Sequence, residues 1–424
     1  MIKAALSLFL FLFLFLLLLL SAPVKVMAEE ILSWENCAAE AKASHPDLIS
    51  AEEKLRQAKA GQRIVASRLL PQIGSSLSLG MSRTEDQDKS DSYSYGVSGK
   101  QLIFDGFKTF YNRASAVENV KSAEYNYKLV SSNLRLRLKT AFADLLKAQE
   151  LLKLTEQILV RRKQNLELVT LRYQAGREHR GSLLNAQANM AQAEAEVSQA
   201  KRNLELAQRR MVKELGRREF SPLLVKGELA IKNSGQKPDF ENLAKTTPLL
   251  LDFTTRRESA RLGVKAAEAD FYPQISASAS ANRSSSEWPP DREGWSAGAS
   301  LSFPLFTGGS RLFEVSRGKS VLNQVEADER SKRDSVILDL QQTWIDLQDA
   351  VENIEVQKKF LSAAEERAKI TNAQYSIGLV TFDSWIIIED DLVRTKKSFL
   401  NSQVNALAAE SNWAQAKGET LDEK

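Results

Sequence analysis

The chain carries one long motif series twice. Leu70-Pro71-Gln72-Ile73 returns as Tyr272-Pro273-Gln274-Ile275, and Ile103-Phe104-Asp105-Gly106 as Leu305-Phe306-Thr307-Gly308. Arg172-Tyr173-Gln174-Ala175-Gly176 returns as Gln374-Tyr375-Ser376-Ile377-Gly378, and Leu215-Gly216 as Lys417-Gly418. Every pair is 202 residues apart, without a gap. A constant offset of this kind means that one structural unit has been duplicated. Geometry deduced for residues 46–216 therefore holds for 248–418 as well.

After Pro71 the side chains alternate. Ile73, Leu77, Leu79 and Met81 are apolar, with Ser75 the exception, and Gly74, Ser76, Ser78 and Gly80 lie between them. Tyr93, Tyr95 and Val97 continue the pattern, against Ser94, Gly96 and Ser98. The second copy repeats it with Ile275, Ala277, Ala279 and Ala281, then with Trp295, Ala297, Ala299, Leu301 and Phe303. Period two with one polar side is a strand signal. A ten-residue strand rises about 33 Å, and at a tilt of roughly 40° it covers the ~25 Å apolar band of an outer-membrane barrel. Tyr93, Tyr95 and Trp295 are expected near strand ends, where interface aromatics sit. A soluble sheet packed on a helix would show the same alternation.

Four strands do not close a barrel, since the smallest have eight. Open edges are not tolerated in lipid, because each unpaired amide or carbonyl costs several kcal/mol there. If these strands cross a membrane, several identical chains must share one barrel.

From about Phe107 to Gln174 there is neither proline nor glycine. Such a stretch predicts a helix about 100 Å long. Leu138, Leu145, Leu152, Leu159, Leu166 and Tyr173 recur every seven residues, as do Leu340, Leu347, Ile354, Leu361, Ala368 and Tyr375 in the second copy. This is coiled-coil spacing. The return helix after Gly176 reads Ala186, Met190, Ala193, Val197, Ala200, Leu204, Ala207 and Met211 and spans only about 54 Å. The segment from Pro46 to Leu70 adds roughly 37 Å, so two short helices stacked end to end would match one long one. A plain coiled-coil spacer would explain the heptads but not the strands that interrupt each rod.

Lys3 precedes a Leu- and Phe-rich run over 6–20, followed by Pro23 and Val26-Met27-Ala28. This is the pattern of a signal peptide cut after Ala28. A run of fifteen residues, Ser7 among them, is too short to span a roughly 30 Å core as a helix. Trp34, Glu35 and Asn36 before Cys37 do not resemble a lipid-anchor site, so Cys37 is expected to be a small buried thiol on a helix. The single cysteine excludes an internal disulfide or a multi-cysteine metal site, and two histidines, His45 and His179, make a histidine-based catalytic centre improbable. The balance of 58 Lys+Arg and 54 Asp+Glu gives no footprint for nucleic acid. No nucleophile–base pair, phosphate-binding loop or metal-ligand spacing is present, so no enzyme and no cofactor is expected. Glu389-Asp390-Asp391 reads as a polar surface, since consecutive helical residues point in different directions.

The boundaries follow. Residues 1–28 are the signal peptide. The first repeat covers 29–216, with strands about 71–82 and 93–104 and helices about 46–70, 107–175 and 181–216. An inter-repeat segment covers 217–246. The second repeat covers 247–418, with strands about 273–282 and 294–306 and helices about 248–272, 309–377 and 383–418, and a tail covers 419–424. The expected fold class is mainly α with a small β part, in two tandem repeats.

The Pro-Gln-Ile at the first strand, Ile-Phe-Asp-Gly-Phe and Leu-Phe-Thr-Gly-Gly at the strand-to-helix junctions, and Tyr-x-x-Gly at the helix turns occur in order and in duplicate. Together they resemble the outer-membrane efflux protein family, the TolC-like outer-membrane factors, over essentially the whole mature chain. The resemblance implies a homotrimer with a twelve-stranded transmembrane β-barrel continuous with a twelve-helix coiled-coil tunnel. It places the barrel in the outer membrane, the long extension in the periplasm and residues 217–246 at the tunnel's equator. It implies a passive exit channel for a tripartite efflux or type I secretion system. Its partners would be a periplasmic adaptor (membrane fusion) protein and an inner-membrane RND or ABC-type pump. The alternative is a periplasmic coiled-coil scaffold without a channel.

The resemblance also places the gate and the adaptor contact at the helix turns. Tyr375 matches a tyrosine that helps hold the tip shut, and Gly176 and Gly378 match the turn glycines; Tyr173, the counterpart of Tyr375 in the first copy, is a further tip candidate. Where the family usually has an acid six residues after each glycine, this chain has Ser182 and Ser384, expected to cap the return helices. Val380 replaces a frequent arginine. The first tip is basic, with Arg177 and Arg180, and the second carries Asp383, which leaves two readings in place of a charged ring: a salt bridge between neighbouring tips, or a solvated tip or adaptor contact.

Overall fold

A computed structural model describes residues 30–84, 87–229, 231 and 235–423; the expected signal peptide over 1–28 lies outside the described residues. In chain order come β1 (Glu30–Leu32), α1 (Trp34–Ser44), α2 (Pro46–Ser67), β2 (Gln72–Thr84), β3 (Gln87–Phe104), α3 (Lys108–Gln174) and α4 (Arg180–Leu215). Then follow β4 (Leu223–Val225), α5 (Phe240–Ala244), α6 (Pro248–Glu268), β5 (Gln274–Ser285), β6 (Arg292–Ser302), α7 (Ser310–Ser376) and α8 (Phe382–Lys417). α3 and α7 have 67 residues each, so each is about 100 Å long.

The two short helices of each repeat meet end to end. α4 ends on Gly216, whose left-handed φ of 78° closes the helix, and α2 starts on the adjacent His45. Ser44 Oγ donates to the Leu215 carbonyl across this joint, at 2.7 Å. Gly418 closes α8 in the same conformation, against Pro248 at the start of α6. Each long helix thus packs along two short ones: α3 on α2 and α4, α7 on α6 and α8. α6 also packs on α3, and α8 on α3, so the two repeats are joined along their length.

Around the joints lies the core. Leu134, Leu138, Leu145, Met211 and Leu215 are buried with Cys37, whose thiol burial pushes up to about 12. The inter-repeat segment is built into it: β4 pairs in parallel with β1, Glu30 opposite Leu223 and Leu32 opposite Val225. Trp344 and Trp413 meet edge-on at 5.3 Å in the second repeat's core. The tail is also anchored, through the Arg135–Glu419 and Lys42–Asp422 pairs and the buried Leu421.

The four longer strands form one antiparallel sheet, ordered β2-β3-β5-β6. Its register aligns the alternation of both copies: Leu77 faces Tyr95, Val97 faces Ala281, and Ala281 faces Trp295. Cross-strand partners share a face, so one side is apolar and the other is Ser and Gly, with Ser76 opposite Gly96 and Ser278 opposite Gly298. On the apolar side Met81 is 82% exposed and Trp295 83%. β2 and β6 are the open edges. β3 starts at Gln87, earlier than the expected 93, because its ladder with β2 continues to Thr84 opposite Gln87. Tyr93 and Tyr95 are therefore inside the strand and not at its end. β6 stops at Ser302, short of 306, since Pro304 has no amide for a ladder. Among the described residues no helix is long and apolar enough to cross a membrane.

Candidate functional site

At the end of the rod opposite the sheet, both long helices stop in the same way. The Arg177 amide donates to the Arg172 carbonyl and the Leu379 amide to the Gln374 carbonyl, at 2.8 and 2.9 Å. These closing bonds need the left-handed φ of Gly176 and Gly378. The return helices are not capped by Ser182 and Ser384, as the sequence suggested. Their N-caps are His179, whose Nδ1 accepts from the Ser182 amide, and Thr381, whose hydroxyl accepts from the Ser384 amide. Each serine lies one turn into its helix, three residues past the cap. Ser182 is buried, with its hydroxyl on the His179 ring, and Ser384 is exposed.

Tyr375 is the centre of the tip. It is fully buried, and its ring stacks on Trp385 with centroids 4.2 Å apart and planes 8° off parallel. Phe382 meets both rings edge-on, and Val169, Ala186 and Ile386 close the cluster, with Val380 packed against it. The Tyr375 hydroxyl donates to Glu178 at 2.9 Å. Arg172 lies 4.6 Å from the Tyr375 ring centroid and donates to the Tyr375 carbonyl at 2.8 Å. Burial, and then the Glu178 carboxylate, push the Tyr375 phenol well above its ordinary range, so it stays a donor. Burial alone would raise the Glu178 carboxyl. Bonds from Tyr375, Ser182 and the His179 amide outweigh it and hold the carboxyl below its ordinary range.

Tyr375, Val380 and Ser182 are thus brought together, and the turn glycines set the ends of their helices. Tyr173, Arg177, Arg180 and Asp383 are all exposed. Among the described residues Asp383 forms no ion pair with Arg177 or Arg180 of its own chain. The tip charges that meet within the chain are Arg172 and Glu178. Sequence reasoning missed both, along with Phe382 and Trp385. The signal was a departure from the repeat: Arg172, Glu178, Phe382 and Trp385 stand opposite Gln374, Val380, Arg180 and Leu183 in the other copy.

On α8, beside Arg161 of α3, the acidic triplet is a solvated surface only in part, since the Asp390 and Asp391 side chains are 47% and 36% exposed. Glu389 is buried, and Arg161 donates to it twice, at 2.5 and 2.6 Å, with Asn165 at 3.3 Å. Asp390 accepts from Arg162 at 2.5 Å, and Asp391 faces Arg367 at 3.6 Å. The three carboxylates do diverge, as helical spacing requires, but each points at an arginine. Lys397 of α8 pairs with Glu196 of α4 at 2.8 Å.

Comparison with known proteins places this architecture. The sequence model of the outer membrane efflux proteins matches residues 38–217 and again 241–419. The outer membrane efflux protein BepC of Brucella suis biovar 1 (strain 1330) is 22% identical over 367 residues, 84% of this chain and 80% of that protein. Among solved structures the fold is similar to that of CusC, described for transmembrane channel formation. The TM-score is 0.81 at 16% identity, covering 90% of this chain and 91% of that one. It is also similar to the open-state outer membrane channel MtrE of Neisseria gonorrhoeae, with TM-score 0.80 at 17% identity over 91% and 88%. With two matches to the family model that together cover most of the chain, the protein belongs to the outer membrane efflux protein family.

Proposed function

We propose that three copies of this chain form a passive outer-membrane exit duct, each giving four strands to a twelve-stranded barrel and, to a twelve-helix tunnel below it, two long helices and two end-to-end pairs of short ones. The observation that carries this reading is the β2-β3-β5-β6 sheet, apolar on one side, Ser/Gly on the other and unpaired at both edges. Such a sheet is at rest only when its edges are joined and its apolar side is in lipid. The Ser/Gly side then lines a wet lumen. A coiled-coil scaffold has no use for it.

The tip cluster holds the α7–α8 turn against the α3–α4 turn, and the exposed Arg177, Arg180 and Asp383 are offered to a periplasmic adaptor or a neighbouring tip. An inner-membrane RND or ABC-type pump would supply the work, in keeping with membership of the family. Light scattering on protein extracted from outer membranes in detergent is expected to give about three chains per particle, and planar bilayers a conductance. A processed chain that stays monomeric in water without detergent ends the reading.

A further inference from the structure

Charge is sorted between the two sides of the sheet. Cross-strand partners share a face, so the register assigns each charged strand residue to a side. Asp91 lies opposite Met81, and Glu293 lies opposite Arg283, which itself faces Tyr95, so both carboxylates are on the apolar side. Glu293 is paired there with Arg283. Lys100 lies opposite Gln72 and Ser278, and Arg292 opposite Ser284, so both are on the Ser/Gly side. Over strand residues 72–82, 91–104, 274–285 and 292–302, that side carries these two cations and no carboxylate. Neither cation forms an ion pair among the described residues. Lys100 is exposed and sits at the rod end of the sheet, beside the first residue of β2. Its counterpart in the second copy is Ser302, so each chain gives one lysine at this level.

We infer that Lys100 is a specificity-determining residue of the duct: three copies form a ring of ammonium groups at the rod end of the barrel lumen, and the lumen passes anionic solutes in preference to cations. Rings of Lys or Arg select anions in pores of this kind. Distance decides whether one such ring is enough. Twelve strands about 4.8 Å apart, tilted roughly 40°, close at a backbone radius of about 12 Å. The four-carbon stem of a lysine carries its charge to within about 8 Å of the axis, which is the Debye length at physiological ionic strength. A solute on the axis therefore feels all three charges. Gln72 and Ser278, the cross-strand partners of Lys100, are neutral and offer no counter-charge. Arg292 adds a second cation per chain at the far end of the same wall, so the field keeps one sign along the lumen.

This inference rests on the trimeric duct proposed above, and the test keeps the two apart. Lys100→Gln, Lys100→Glu and, as a control, Arg283→Gln on the apolar side are made in the full chain. Each is purified in detergent, checked for trimer mass and recorded in planar bilayers. The readout is the zero-current potential across a potassium chloride gradient. In about 10 mM salt, where the Debye length is ~30 Å, Lys100→Gln is expected to lower the chloride-to-potassium permeability ratio about fivefold, and Lys100→Glu to lower it further. Near 1 M salt, where that length is about 3 Å, both differences should vanish. Arg283→Gln removes a cation from the other side and should keep the wild-type ratio. Intact trimers of both Lys100 variants with the wild-type ratio in low salt overturn the inference and leave the duct standing. A ratio shifted equally by Arg283→Gln also overturns it, since charge would then act without regard to side. A wild-type particle that is not a trimer removes the duct and this inference with it.

Discussion

Tyr375 and Glu178 show how far one side chain depends on another 197 residues away. The Glu178 carboxyl sits below its ordinary value of 4.5, so its contribution is complete above that pH and is lost as pH falls through its lowered folded value. Glu178→Gln removes a charge-assisted bond, a loss of about 1.5–3 kcal/mol. Thermal unfolding in detergent should show that gap between wild type and variant at neutral pH, and the gap should close in acid. A gap of equal size at pH 3 and pH 7 would count against this account. Glu178 was invisible in the sequence because an acid in a surface turn looks solvated; only the fold brings a buried phenol to it.

Helix joints are the corresponding feature at the level of elements. A Cβ on Gly418 would fall 2.2 Å from Pro248 Cδ, and φ there is 83°. Gly418→Ala therefore combines left-handed strain, about 1–2 kcal/mol, with a collision at the N-terminus of α6. We expect a lower melting temperature and loss of the α8–α6 alignment, measured as faster amide exchange around residue 248. Gly61, with open space around it, is the control: Gly61→Ala should match or exceed wild type, since alanine is the better helix former. Strand and helix existence could be read from period two and period seven. Their ends could not: β3 begins at Gln87 because the partner strand extends that far, and a ladder is a property of two strands.

For the whole molecule, the two sides of the sheet should respond differently. Leu79 lies on the apolar side and Ser78 on the other. On the lipid side Leu79→Arg should cost about 2–4 kcal/mol near mid-membrane, whereas an arginine in the lumen stays hydrated. The fraction of heat-resistant oligomer on unboiled gels should fall for Leu79→Arg and hold for Ser78→Arg. Equal losses would mean that both faces meet the same medium.

Period, length and offset belong to the sequence, because each is set by a local rule: alternation along a strand, heptads along a helix, and a constant 202-residue copy. Those rules were enough for two repeats, four strands, two 67-residue rods and their open edges. Pairing across the rods was decided by the tertiary structure alone. Helical spacing states that Glu389, Asp390 and Asp391 diverge, but not what stands opposite each one. Arg161 is 228 residues from Glu389, and only the packing of α8 on α3 turns an apparently solvated acid into the buried partner of an arginine.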